Sequence, residues 1–159
     1  MDEQRSESVT TQASIAALPG ALTALALIEQ RLIGGLATAL TEEHTTVEQW
    51  RVLERVDALP APTMGELSAA SGLSNASLSR TVDALEDAAA VFRLVDKADR
   101  RRITVHMSDR GRSRLSTVRA IVAAWNADMH RTFGGDVIAQ LADLAQTMTA
   151  RLDAGGASE

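Results

Sequence analysis

Residues 63–111 read TMGELSAASG (63–72), LSNASLSRTVDALEDAAA (73–90) and VFRLVDKADRRRITVHMSDRG (91–111). The first block opens as a capping box. The Thr63 hydroxyl is placed to accept from the Glu66 amide, and the Glu66 carboxylate to reach back. Leu67 and Ala70 give this short helix an apolar face, and Gly72 stands where a helix end needs a left-handed residue. Leu73 packs into the corner and Ser74 caps the next helix. There Leu78, Val82 and Leu85 share one buried stripe. At about 100° per residue, Ala76, Ser79, Arg80 and Asp83 fall on the opposite face, with Asn75 and Ser77 flanking it. This is the pattern of a helix-turn-helix, whose small and polar first turn can approach base edges in a major groove. An ordinary helical hairpin with a polar face fits the two helices equally well.

The next stretch tips that balance. Val91 to Val95 and Ile103 to Met107 are β-rich runs able to pair as a hairpin. Between them lie Asp96, Lys97, Ala98, Asp99, Arg100, Arg101 and Arg102. Adjacent arginines at a hairpin tip suit phosphate contact and entry into a narrow minor groove. Asp99 is a poor neighbour for phosphate unless it pairs with Arg101 or a nearby arginine and holds it in pose. Hairpin and helix pair together predict a winged helix-turn-helix that reads DNA.

The order of these motifs resembles the MarR-type family of winged-helix transcription regulators (multiple antibiotic resistance regulators). The residues that carry the resemblance are Gln49-Trp50-Arg51-Val52-Leu53, Glu66-Leu67, Leu73-Ser74, Ser79-Arg80, Val82-Asp83 and Leu85-Glu86. Asp99-Arg100-Arg101 follow, then Met107-Ser108-Asp109-Arg110-Gly111, which matches the family's LTxxG exit from the wing. The resemblance implies that Ser77, Ser79 and Arg80 face DNA from the recognition helix. It implies that Arg101 enters the minor groove, while Arg100 and Arg102 meet backbone phosphate or solvent. Two positions depart from the family. Ala89-Ala90-Val91 stands where Gly-Leu-Val is usual, so a left-handed Ala89 would cost on the order of 1 kcal/mol. Phe92 stands where the family tends to be polar, and is expected either under the wing or exposed.

At 159 residues the chain is one domain-sized unit with room for a core. Aromatics are few, so that core rests on Leu, Ala, Val and Ile, a helix-favouring set. The net charge of -5 argues against non-specific nucleic-acid binding by bulk charge. A local basic patch of Arg80, Arg93, Lys97, Arg100, Arg101 and Arg102 is the alternative source of affinity, and it predicts strong salt sensitivity. No cysteine is present, which excludes disulfides and thiolate zinc sites. The polar, acidic start is not a signal peptide. The apolar run over 21–40 is interrupted by Glu29, Gln30 and Arg31, so no membrane span is expected, and a cytoplasmic protein is.

In chain order, residues 1–13 are expected to be a disordered tail. A helix begins near Leu18, with Leu18, Leu22, Leu25, Leu32, Leu36 and Leu40 on one stripe and Leu27, Ile28 and Ile33 widening it. That is more apolar surface than a lone surface helix needs, which favours packing against a partner subunit. Gly34-Gly35 allow a bend or a close helix contact. Residues 41–46 read as a linker. A helix near 47–58 buries Trp50 and Leu53, and Pro60 and Pro62 end it. After the hairpin, Ser108 or Asp109 caps a helix to about Phe133. Gly134-Gly135 stop it, and Asp136 caps a last helix striped with Val137, Ile138, Leu141, Leu144, Met148 and Leu152.

The expected fold is mainly α with a small β-hairpin wing: a winged helix-turn-helix reader flanked by N- and C-terminal dimerisation helices. Residues 46–108 form the DNA-binding region, 14–45 and 109–153 the helical dimerisation region, and 154–159 a loose tail. The DNA-contact set is Asn75, Ala76, Ser77, Ser79, Arg80, Arg100, Arg101 and Arg102, with Asp99 positioning the wing. One recognition helix reads only a few base pairs. Two, about one DNA turn apart, read a palindrome. The resemblance implies a homodimeric repressor of a palindromic double-stranded operator, relieved by a small, often aromatic, effector held between the dimer helices and the reader. His44, Trp50 and Trp125 are loose pocket candidates, each equally explained by core or surface roles. His44, His106 and His130 are scattered, with no HExxH, GxSxG or P-loop, so no enzyme, metal or cofactor is expected. The rival is a winged-helix protein-interaction module that no longer binds DNA.

Overall fold

The computed structural model describes residues 3–95 and 102–156, with side chains over 18–95 and 102–155. The helices are α1 (Glu3–Leu40), α2 (Val47–Ala58), α3 (Met64–Ser71), α4 (Asn75–Asp87), α5 (Asp109–Phe133) and α6 (Gly135–Gly156). A 3-10 turn, Thr41–Glu43, links α1 to α2. Strands β1 (Val91–Val95) and β2 (Ile103–Met107) pair antiparallel, Val91 opposite Met107 and Val95 opposite Ile103. The sheet gains one more bridge, between Thr104 and Thr63, and the Val105 amide donates to the Pro62 carbonyl at 2.8 Å. The hairpin is thus stitched to the entrance of α3.

Local signals set most of these boundaries. Thr63 and Glu66 form the capping box at α3, and Thr46 and Gln49 form a second one at α2. Ser74 caps α4, and Gly72 closes α3 at φ 69°. Three expectations need correction. Residues 3–13, expected as a disordered tail, are helical, because α1 runs through Pro19; Glu, Gln, Arg and Ala there favour helix without an apolar stripe. Asp136 lies inside the first turn of α6, since the helix starts at Gly135. The loose tail starts later than expected, because α6 continues to Gly156.

The main core gathers Val52 and Leu53 of α2, Leu67 of α3, Leu78, Val82 and Leu85 of α4, Val91 and Val105 of the sheet, and Leu115 of α5. A second cluster joins Leu36 and Leu40 of α1 to Val47 and Val118. Trp50 is half-buried rather than buried. It touches both clusters, and its indole Nε1 donates to Glu54 Oε1 at 3.2 Å. Residues Leu18–Glu43 are long and apolar enough, at mean hydropathy 1.2, to cross a membrane. Glu29 and Arg31 interrupt the stretch, and its far end is buried on α2 and α5. An added Cβ at Gly35 would sit 3.4 Å from Trp125 Nε1, in ordinary contact, and one at Gly34 would meet nothing, so Gly35 faces α5 and Gly34 faces away.

Ala89 has φ 54°. Its amide donates to the Glu86 carbonyl and the Ala90 amide to the Leu85 carbonyl, both at 2.8 Å. These two bonds are the Schellman termination of a helix, with alanine in the left-handed slot that glycine favours. Replacing Ala89, which is exposed, by glycine removes that strain but loosens the unfolded chain. Ala89→Gly is expected to stabilise the protein by roughly 0.5–1 kcal/mol, read as a rise in the urea midpoint at unchanged slope. A lowered midpoint would show that the left-handed conformation is not strained.

Candidate nucleic-acid interface

α3 and α4 are held at a fixed angle by Leu67, Leu78 and Leu73 in the corner and by the Ser68 hydroxyl, which donates to the Leu73 carbonyl at 3.0 Å. This leaves one face of α4 to solvent. Asn75, Ala76, Ser79 and Arg80 are exposed there, and Ser77 is half-buried. The Ser77 amide is occupied by the Ser74 hydroxyl, at 3.2 Å. All five helix residues expected to meet DNA therefore lie around the N-terminal half of α4, beside the partial positive charge of the helix start.

Of the wing residues, Asp99, Arg100 and Arg101 lie outside the described residues, as does Lys97. Arg102 is described and exposed, immediately before β2. The Glu66 carboxyl is held below its ordinary pKa first by the Thr63 amide and hydroxyl, and in smaller part by the charge of Arg102. Arg102 thus stands near the N-terminus of α3, on the α3–β2 side of the reader. Phe92 is exposed and stacks on His106, ring centroids 5.5 Å apart.

Arg93 departs from its expected place in the basic patch. Its guanidinium pairs with Asp83 at 2.7 Å and with Glu86 at 2.5 Å. Burial works against its charge, but the two carboxylates outweigh this and raise its pKa. Asp83, expected on the exposed face of α4, is on that face and is engaged by this pair.

Two arginines of α5 that sequence inspection passes over join the reader to the long helices. The Arg114 guanidinium donates to the Thr45 hydroxyl (3.0 Å) and the His44 carbonyl (2.8 Å). Arg119 forks onto Glu54 through Nε (3.0 Å) and Nη2 (2.7 Å), and reaches Asp57 at 2.8 Å. The hydrogen bonds from Arg119 hold the Glu54 carboxyl below the usual carboxylate range, against the opposing cost of burial. The acids at positions 54 and 57 share one face of α2, and that spacing was the available signal that a cation sits opposite. At the hairpin exit, the Ser108 hydroxyl accepts from the Gly111 amide at 2.9 Å. It lies within donating distance of the Ala89 (2.7 Å) and Ala90 (3.0 Å) carbonyls.

An exposed second helix, rigidly capped and flanked by a two-stranded hairpin, defines a winged helix-turn-helix. Residues 45–103 match the model of the MarR family. Solved structures share its fold over most of the chain. The transcriptional repressor CouR bound to a 23-mer DNA duplex has 24% identity and a TM-score of 0.75, over 79% of this chain and 89% of that one. CouR from Rhodococcus jostii RHA1 bound to p-coumaroyl-CoA has 25% identity and a TM-score of 0.67, over 78% and 87%. Wild-type MarR from E. coli in its apo form has 20% identity and a TM-score of 0.68, over 79% and 94%. No curated protein matches the chain by sequence.

Proposed function

We propose that this chain is a homodimeric, sequence-specific DNA-binding regulator of transcription, acting in the cytoplasm as a repressor at a palindromic operator. The observation that carries the proposal is the exposed N-terminal half of α4, with Asn75, Ala76, Ser79 and Arg80 presented by a fixed helix pair next to the hairpin. Ser79 and Arg80 read base edges, with Ser77 beside them. Arg101 enters the minor groove under the hold of Asp99, and Arg100 and Arg102 meet phosphates. The fold's likeness to a repressor solved on duplex DNA supports the same assignment.

A dimer is supported by what the single chain leaves bare. Leu18, Leu22 and Leu27 of α1 and Leu144 and Leu152 of α6 are each more than half exposed. Exposed apolar residues on both helices are what an interface would cover. A cavity of about 290 Å³ between α1 and α6, lined by Ile28, Leu32, Phe133, Val137, Ile138 and Leu141, continues it. The effector of this proposal would sit where α2 and α5 begin. A cavity of about 570 Å³ there is lined by His44, Gln49, Arg110, Ser113, Arg114 and Thr117, within the size range of ligand sites. A ligand that prefers one placement of α2 on α5 shifts the spacing of the two readers. Trp50 and Trp125 do not line this cavity.

The test is selection from a random duplex library at physiological salt. The expected product is a palindrome with half-sites about one turn apart. No enrichment by an intact dimer would favour the protein-interaction module instead. On the selected duplex, Arg80→Ala is expected to cost about 1–3 kcal/mol of binding free energy and to relax preference at one position of each half-site. An unchanged profile would remove α4 as the reader.

A further inference from the structure

The hairpin meets the recognition helix through one charged junction. Arg93 projects from the middle of β1, on the same face as Val91 and Val105, toward α4. Asp83 and Glu86, three residues apart, present their carboxylates from one side of α4. The Arg93 guanidinium reaches both, and its backbone amide donates to Glu86 Oε1 at 3.1 Å. Side-chain and main-chain donors of one strand residue therefore converge on two acids of one helix. The Arg93 side chain is only about a quarter exposed (26%), less than Asp83 at 56% and Glu86 at 37%. A planar fork between two carboxylates fixes orientation in a way that a lone ammonium does not.

We propose that Arg93 is a positioning residue: it locks the wing to the recognition helix, setting the angle at which the arginine-bearing tip meets DNA, and it does not itself contact phosphate. The inference rests on the DNA-reading function proposed above. The same junction explains how an acid is tolerated on the reading face. Asp83 lies three residues beyond Arg80 and would repel a phosphate backbone, but the pair with Arg93 offsets part of its charge and turns its carboxylate toward the sheet.

The two roles open to Arg93 predict opposite signs. If Arg93 were a phosphate ligand held back by acids, the double variant Asp83→Asn, Glu86→Gln would free it and remove two negative charges near a polyanion. Binding to the selected duplex would tighten. If Arg93 positions the wing, the same variant loosens the hairpin, and binding weakens by about tenfold. Arg93→Met, which keeps the apolar stem, is expected to weaken binding by a similar factor, and Arg93→Lys by less. In each case the dimer and the thermal midpoint should stay close to wild type, because the apolar core beneath is unchanged. Equal or tighter binding by the double variant overturns the proposal.

A second measurement decides the matter without DNA. Amide hydrogen exchange in the free protein should speed by about tenfold over residues 92–95 and 103–107 in Arg93→Met, while the core amides of α2 and α4 keep their protection. Unchanged exchange in the hairpin overturns the lock. If wild-type protein enriches no duplex, the DNA-reading function fails on its own, and the exchange result still decides whether Arg93 holds the wing.

Discussion

Gly111→Ala, where the reader passes into α5, is expected to be the most destabilising glycine-to-alanine change among the described residues. A Cβ at this position would lie 2.0 Å from the Ala90 carbonyl oxygen and 2.7 Å from Met107 Sδ. The thioether can move; the carbonyl cannot, because it accepts from the Ser108 amide at 3.0 Å and helps define where the hairpin leaves α4. Relief requires the first turn of α5 to withdraw from the Ala89–Ala90 corner, which breaks the contacts of Ser108 with both carbonyls. The loss should exceed about 3 kcal/mol, at the upper end for overpacking, measured by urea unfolding. Gly65→Ala is the control. Nothing lies within 4 Å of its added methyl, and it sits in the first turn of α3. That variant should be neutral or stabilising by up to about 1 kcal/mol. Equal stability of the two variants would show that the corner at Ala90 is pliable.

Ending the chain after Gly134 should abolish the dimer and, with it, nearly all operator binding. The truncation removes α6, including Val137, Leu144, Met148 and Leu152, all of which are exposed in the single chain. It also strips one wall from the groove shared with Ile28 and Leu32 of α1. The reader's own core contains no residue of α6. The truncated protein should therefore keep its winged helix, visible as retained near-ultraviolet signal from its tryptophans, Trp50 and Trp125. Light scattering should report a monomer, and affinity for the full palindrome should fall by on the order of 10³ or more as one reader is left with one half-site. A dimer that survives truncation would move the interface to α1 and α5 alone.

Much of the reader was legible because its signals are local. A capping box needs only the residues at positions 63 and 66. A buried stripe needs only the spacing of Leu78, Val82 and Leu85. Both strands carry the residue ranges that their β-rich runs predict, Val91–Val95 and Ile103–Met107. The strain at Ala89 was signalled by the resemblance, which puts glycine where this chain has alanine, and Ala89 does take the left-handed conformation. The start of α1 was misplaced for the complementary reason. Proline followed by glycine is a strong local stop, but it tolerates a helix on both sides when the chain around it already favours one. The wing-tip residues Asp99, Arg100 and Arg101 rest on sequence and resemblance alone.

What the chain's residues determined by themselves is the set of elements, their apolar faces and the ends that carry a capping signal, since each follows from interactions within about four positions. What only the tertiary structure decided is which charges are spent on the protein itself. Arg93 counted as part of a basic patch until its guanidinium was found between Asp83 and Glu86, ten and seven positions away on another element. Arg119 and its two acids lie more than sixty positions apart, and Arg114 and Thr45 are separated by a similar stretch. An arginine's charge is the same whether it faces a phosphate or a carboxylate. The partner is chosen by distance and desolvation, and both are set only when the strands and helices pack.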